Sequence, residues 1–260
     1  MTEAFPSSAD DPIKPRTRGW VHAASAVGSI PAVWLLVGAS QPGPLRWGAL
    51  TFGLSMIFLF STSGAYHTPQ WGDNTRAVLR LIDHCMIFVF VGGTYTPFLL
   101  ASQGDIYDWF LPLVWLMTLA GIGRTLFLPN VKRWIKAGIY VVMGWMAIPL
   151  FGMWLTELGV QAVSLLLAGG VSYTVGAIIY TRQTPNTWPE VWGYHEYFHV
   201  TVVLGAVLHY MAVWTVVVCP PDLHCPHADL HLDRGHLPRR VDHPAGHTVD
   251  TAGHRRVTTG

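Results

Sequence analysis

Seven long apolar stretches, separated by short polar turns, occupy most of the chain between residues 19 and 218. Each contains about 20 mostly apolar residues, the length that an α-helix needs to cross a bilayer. Turn-forming pairs such as Pro42-Gly43 and Pro129-Asn130 stand between the stretches. The predicted spans are 19–39, 45–67, 78–101, 109–128, 135–155, 161–181 and 191–218. The pattern therefore predicts an all-α fold, a seven-transmembrane helix bundle formed by residues 19–218.

The composition supports a multi-pass protein of the cell membrane. Apolar residues make up 51% of the chain and charged residues only 12%, which is typical of membrane proteins. The net charge is +1, and no basic patch with interleaved aromatic residues points to nucleic acid. Three cysteines are too few for a disulfide framework. The expected partners are membrane lipids.

The distribution of lysine and arginine predicts the orientation in the membrane. Ten of these residues fall in segments on the N-terminal side of the threading, whereas the opposite loops contain Arg46. The ten are Lys14, Arg16, Arg18, Arg76, Arg80, Arg124, Lys132, Arg133, Lys136 and Arg182. Because basic loops favour the cytoplasm, residues 1–18 are predicted to be a cytoplasmic segment and the C-terminus to lie outside. Tryptophans near span ends, Trp154 and Trp188 among them, are expected to be interfacial anchors.

The C-terminal segment, residues 219–260, differs in composition from the spans. It is poor in apolar residues and contains seven histidines. Such a segment cannot bury enough apolar surface to fold, so it is predicted to be a disordered, His-rich tail. A His-rich tract can also hold metal loosely.

A pair of histidines in the last span suggests a metal site. His195 and His199 are four residues apart, so on a helix both rings project from one face. Ionisable groups in such an apolar helix are costly and point to function. The threading brings His67, at the end of the second span, and Asp83, about one turn into the third, to the same depth. Three neutral imidazoles with a fourth position free are the ligand set of catalytic zinc, with His67, His195 and His199 as ligands.

Asp83 and Ser63 are the candidate catalytic residues beside this predicted zinc site. Asp83 can hold a water molecule by a hydrogen bond or act as a partner to an imidazole. Ser63 lies one turn before His67 on the same face. Its hydroxyl can bind a substrate carbonyl or the water, or it can bond back to a carbonyl of its own helix.

The other polar groups of the spans permit a competing interpretation. His195 to His199 also satisfies the H-E-x-x-H pattern, in which the glutamate is the general base of a zinc protease. No later span supplies a third ligand, so Glu196 is assigned a minor role, although helical geometry alone does not remove it. His22 begins its helix on the inner side and can approach the site, but a packing or interfacial role is expected for it. His84 projects about 100° away from Asp83 and is expected to point elsewhere, and His209 is expected to hydrogen-bond structurally.

Four motifs, taken together, resemble the haemolysin III family, whose relatives include the progestin and adipoQ receptors and the alkaline ceramidases. They are Ser63-Gly64-Ala65-Tyr66-His67, Arg80-Leu81-Ile82-Asp83-His84, Gly92-Gly93-Thr94-Tyr95-Thr96-Pro97, and His195-Glu196-Tyr197-Phe198-His199 followed by His209. The resemblance extends from about Lys14 to Val218 and is stronger to the simpler bacterial branch. It implies a seven-helix fold with the N-terminus inside and zinc at the residues matching His67, His195 and His199. It also implies a water linked to Asp83, and hydrolysis of a lipid amide.

Three functions are compatible with these sequence features. The leading one is ceramidase-like hydrolysis of a lipid amide or ester, in which zinc polarises the carbonyl and lowers the pKa of water toward about 7. The second is membrane damage or pore formation (cytolysis), which the haemolysin name implies, although spans four to six contain almost no buried charge. The third is a receptor or sensor in which zinc is structural.

Overall fold

The computed structural model describes residues 15–102 and 105–218, and within these ranges the regular structure is helical, without strands. Seven helical units are long and apolar enough to cross a membrane. They are α1 (Trp20–Ala39), α2 (Pro44–His67), α3 (Asp73–Ala101), α4 (Ile106–Phe127), a fifth unit (Arg133–Glu157), α7 (Gly159–Arg182) and α8 (Tyr194–Val217). The predicted all-α bundle of seven transmembrane helices is confirmed. The predicted tail, residues 219–260, and most of the predicted N-terminal segment lie outside the described residues.

Two helices start at positions that hydropathy alone did not indicate. Helix α3 begins at Asp73, five residues before the predicted span, because a polar first turn can continue a helix beyond the hydrocarbon region. An acidic residue there also interacts favourably with the helix dipole. Helix α8 begins at Tyr194, three residues later than predicted. The preceding residues form a turn in which Trp188 and Trp192 pair through their backbones.

The fifth span is not one continuous α-helix. It consists of α5 (Arg133–Gly144), a 3₁₀ segment (Trp145–Leu150) and α6 (Phe151–Glu157). Pro149 lies in the 3₁₀ segment, and proline both lacks an N–H group and clashes with the preceding turn of an α-helix. The uniform hydropathy of this span concealed the break.

Tyr95 of α3 satisfies backbone groups at this break. Its hydroxyl lies 2.9 Å from the carbonyl oxygens of both Met143 and Gly144. It also accepts a hydrogen bond of 3.0 Å from the backbone N–H of Ala147. Unpaired backbone groups are costly inside a membrane, so this one buried side chain stabilises the irregular segment.

The prediction that Trp154 anchors at the membrane interface is wrong. Its side chain is 1% exposed, and its Nε1–H donates a hydrogen bond of 2.8 Å to the Ser102 hydroxyl. The ring packs against Phe98, with 5.8 Å between the centroids. Trp154 is therefore part of the core, whereas Trp188 is exposed, as an anchor requires.

Small residues allow the helices to approach closely. Helix α2 packs between α1 and α3, and α8 contacts α1, α2, α3 and α7. A Cβ atom added at Gly48 of α2 would lie 2.8 Å from the Cα of Pro97 in α3, so glycine is required there for backbone contact.

Replacement of Gly48 by leucine is expected to destabilise the bundle, because the side chain would have to displace the backbone of α3. Overpacking of this kind costs about 1–3 kcal/mol, which thermal unfolding in detergent would detect as a lower midpoint. Gly28 of α1 provides a matched control, since a Cβ atom there has open space. Equal midpoints for Gly48→Leu and Gly28→Leu would contradict the prediction.

Candidate metal centre

Three histidines from two helices converge at the end of α2 and the beginning of α8. One ligand atom from each of His67, His195 and His199 lies within 4.8 Å of the other two. The Nε2 atoms of His67 and His195 are 3.2 Å apart. His199 is buried, and the other two are partly buried. The three side chains that the sequence places at one depth therefore lie together in the structure.

The chemistry of these side chains fits a divalent transition metal ion. The ring centroids form a nearly equilateral triangle, with separations of 4.6, 5.0 and 4.5 Å. Each neutral imidazole offers one nitrogen lone pair, and imidazole suits zinc, copper, iron and nickel. The cluster can hold a metal ion, whose identity the geometry leaves open.

Asp83 of α3 lies beside this triangle. Its Oδ2 atom is 3.8 Å from the Nε2 atom of His67, which is beyond hydrogen-bonding distance. Its carboxyl group is buried and also interacts with the Ser63 hydroxyl. The predicted nearness of Asp83 to the histidines is therefore present, and three different helices contribute to the site.

Ser63 has a hydrogen-bond partner in another helix that the sequence pattern did not indicate. Its Oγ atom lies 2.8 Å from the Nδ1 atom of His22 in α1. The His22 ring stacks on the His199 ring, with centroids 3.8 Å apart and planes 9° apart. The sequence leaves it open whether His22 approaches the site and favours a packing or interfacial role, and the structure places His22 against the site. The position of His22, early in α1 and at the depth of the other histidines, was the available signal.

Gly19 brings the start of α1 against the site. Its φ angle is +87°, a conformation that glycine adopts without strain. A Cβ atom at this position would lie 2.7 Å from the Cβ atom of His67. Glycine is thus required on two grounds, and the close approach places His22, less than one turn later, next to His199.

Glu196 is buried and hydrogen-bonded at the start of α8. Its Oε1 atom accepts a hydrogen bond of 2.7 Å from the Nε–H of Arg18, and its Oε2 atom accepts one of 2.8 Å from the backbone N–H of Gly193. The side chain is 1% exposed. Both carboxylate oxygens are therefore engaged at the start of α8, where they cap the helix and fasten it to the segment before α1.

The segment before α1 makes further contacts of the same kind. The backbone N–H of Arg16 donates to the carbonyl of Glu190 at 3.0 Å, and the Thr17 hydroxyl donates to the carbonyl of Val191. These bonds and the Arg18–Glu196 ion pair hold residues 16–18 against the loop that leads into α8. The N-terminal ends of α1 and α8, which carry His22 and His195, are thereby linked.

The two remaining histidines of the spans bond to backbone carbonyls, as expected. The Nδ1 atom of His84 donates to the carbonyl of Arg80 at 2.7 Å. The Nε2 atom of His209 donates to the carbonyl of Leu166 at 3.2 Å. Neither belongs to the triangle of potential ligands.

Comparison with known proteins identifies the family. A family model described as "Haemolysin-III related" matches residues 11–210. The chain is 34% identical over 209 residues to the "Hemolysin-3 homolog" of Bacillus subtilis, covering 78% of this chain and 93% of that protein. It is 32% identical over 198 residues to "Hemolysin-3" of Bacillus cereus, covering 74% and 86%.

An animal relative is more distant. The human "Monocyte to macrophage differentiation factor" is 25% identical over 187 residues, covering 67% of this chain and 74% of that protein. The region matched by the family model, residues 11–210, contains all three histidines and Asp83 and includes most of the helical bundle. The chain therefore belongs to the haemolysin-III-related family and is a multi-pass integral membrane protein with a histidine cluster that can hold a metal ion.

Proposed function

We propose that this protein is a zinc-dependent hydrolase of a lipid amide or ester. The observation that carries the proposal is the placement of a buried carboxyl group, Asp83, 3.8 Å from a potential metal ligand, His67, next to two further histidines. A carboxylate that only orients a metal-binding histidine would hydrogen-bond to its ring, whereas Asp83 lies beyond that distance from His67. A hydrolase needs a nearby acidic group, because water must lose a proton as it attacks a carbonyl carbon.

Zinc is the metal proposed for His67, His195 and His199, because three protein ligands with a remaining open position are typical of catalytic zinc. When bound, zinc supplies Lewis acidity, which polarises a carbonyl group and makes water more acidic. The three imidazoles must be neutral to bind it.

Asp83 is proposed to orient the attacking water and accept its proton. Water then adds to the carbonyl carbon, the bond from that carbon to nitrogen or oxygen breaks, and the leaving group takes up the proton. The products are a fatty acid and an amine or alcohol. Burial of Asp83 among helices keeps bulk water from competing for its hydrogen bonds.

Ser63 and His22 are proposed to position the reacting groups. A hydroxyl held by an imidazole at 2.8 Å has a restricted orientation and can still interact with a group bound beside Asp83. The His22 ring, stacked on His199, supports that ligand from behind. Neither residue is required to exchange a proton with the substrate.

A lipid substrate is proposed because the site lies in apolar helices of the membrane. The outer faces of these helices expose many large apolar side chains, so an acyl chain can approach from the bilayer and lie between helices. The carbonyl group of the lipid is then the polar centre that reaches the histidines.

The proposed activity can be tested with the full chain purified in detergent. We expect it to release fatty acid from an N-acylsphingosine or an acyl ester in mixed micelles, as measured by mass spectrometry. Because the metal is required, removal with a chelator should abolish release and added zinc should restore it. A His195→Ala/His199→Ala variant shows whether any release comes from a contaminating enzyme. Release that resists complete metal removal would overturn the proposal.

Membrane damage is the competing function, suggested by the name of the Bacillus cereus relative, "Hemolysin-3". Liposomes loaded with a fluorescent solute distinguish the two. Leakage that persists with metal-free protein and with an Asp83→Asn variant would favour membrane damage. A receptor with structural zinc would show no hydrolysis either before or after metal removal. Chelation would only lower its thermal midpoint.

A further inference from the structure

A second polar site lies outside the histidine cluster, where α3, α4 and α5 approach one another at one end of the bundle. Basic side chains line a small pocket there, and none of its lining residues is acidic. The lining residues are Arg80, Leu81, His84, Arg124, Thr125, Pro129 and Lys136. Lys136 is close enough to Arg80 and Arg124 for their charges to interact. Positive groups gathered in this way repel one another unless an anion lies between them.

Arg124 provides a second, independent indication that this pocket binds an anion. Its Nη2 atom is buried and has no hydrogen-bond partner among the described residues. A buried donor without an acceptor is rare in folded proteins, and it is more costly still when the group is charged. Guanidinium groups bind phosphate with paired, charge-assisted hydrogen bonds, so a phosphate oxygen would satisfy this atom.

An apolar cleft continues from the basic pocket, and Arg124 lines both. The cleft has a volume of about 480 Å³ and lies between α3, α4 and α5, within the range of small-molecule sites. Apart from Arg124, its walls are apolar or aromatic side chains and glycines. They include Phe88, Met117, Trp134, Gly138, Val142 and Met146.

We propose that this pocket and cleft together bind one anionic glycerophospholipid. Its phosphate group lies among Arg80, Arg124 and Lys136, and an acyl chain enters the cleft beyond Arg124. A free phosphate ion would use only the basic part, and an uncharged apolar molecule would use only the cleft. A phospholipid matches both parts, and basic pockets between transmembrane helices bind acidic lipid headgroups.

The charged part of the site is tested by titrating detergent-purified full chain with phosphatidylglycerol and measuring bound lipid by native mass spectrometry. We expect Arg80→Gln/Arg124→Gln/Lys136→Gln to weaken binding about tenfold or more, because charge-assisted hydrogen bonds to the phosphate are lost. Arg76→Gln/Lys132→Gln/Arg182→Gln removes the same charge from three exposed positions and should bind like the wild type. Equal losses in both variants would mean general surface attraction and would overturn the proposal.

The apolar part is tested with Gly138→Phe, which places a ring in the cleft. A Cβ atom at Gly138 meets nothing within 4 Å, so this variant can fold without displacing a neighbour. Gly123→Phe is the matched control, because its Cβ atom also has open space and Gly123 does not line the cleft. We expect weaker phosphatidylglycerol binding only in Gly138→Phe. Unchanged binding in that variant would exclude the acyl chain from the cleft.

Two further ligands separate a lipid from other sources of phosphate. Phosphatidylcholine should bind less tightly than phosphatidylglycerol, because its choline group compensates the phosphate charge. Inorganic phosphate should fail to displace phosphatidylglycerol at concentrations that leave the ionic strength unchanged. Displacement by inorganic phosphate, or equal affinity for the two lipids, would overturn the proposal in favour of a soluble anion or of unselective lipid contact.

Discussion

Purified protein is expected to contain about one zinc ion per chain, and replacement of His67 by alanine is expected to remove it. Only two protein ligands would then remain, His195 and His199, and two imidazoles hold zinc far more weakly than the three of a catalytic site. The loss should therefore be nearly complete after dialysis against metal-free buffer. Metal content is measured by mass spectrometry of the dissolved protein, normalised to its amino-acid content.

His84→Gln is a suitable control for this measurement, since His84 bonds to the carbonyl of Arg80 and lies outside the triangle. It should keep the wild-type metal content. A His67→Ala variant that retains a full equivalent of zinc would show that the ion binds elsewhere. If the protein contains a different transition metal that is also lost in His67→Ala, the metal site would be correct and its assignment to zinc would be wrong.

Replacement of Asp83 by asparagine is expected to abolish most hydrolysis while leaving the metal bound. Asparagine has nearly the same shape but cannot accept a proton, and loss of a general base lowers rates about 10²–10⁴-fold. Glu196→Gln is expected to retain activity, because Glu196 is engaged with Arg18 and Gly193. Its effect should appear in the thermal midpoint, since the partly buried partner Arg18 loses its counter-charge.

Initial rates of fatty-acid release, measured together with zinc content and thermal midpoint, distinguish these roles. Retained hydrolysis in Asp83→Asn with loss in Glu196→Gln at full metal content would support the zinc-protease pattern H-E-x-x-H as the catalytic arrangement. Loss in both variants with normal metal content would assign a catalytic role to each carboxylate and would contradict the structural role derived for Glu196.

The convergence of the histidines was predictable because a bilayer restricts where a helix can lie. Hydropathy determined the spans, and each span crosses the membrane at about 1.5 Å per residue. A residue's position in its span therefore indicates its depth. His67, Asp83 and His195 share a depth for this reason, and the helical repeat of 3.6 residues places His199 on the same face as His195.

Depth and face do not specify which helices are neighbours or how each is rotated about its axis. For this reason Ser63 was assigned a substrate or a helix carbonyl, whereas its partner is His22. The sequence predicts only a minor role for Glu196 and does not identify its partner, Arg18, which is 178 residues away in sequence. Trp154 was misplaced at the interface because its burial depends on α3, which supplies Ser102 and Phe98 at its C-terminal end.

The sequence by itself determined the number of spans, the class of the protein and the three histidines of the candidate metal centre. These depend on local apolar length, helical repeat and membrane depth, all of which can be read along one dimension. Only the tertiary structure decided the stack of His22 on His199 and the engagement of Glu196 with Arg18. It also decided the joining of the Arg124 pocket to an apolar cleft. These features arise from packing between helices distant in sequence, where many weak contacts together select one arrangement.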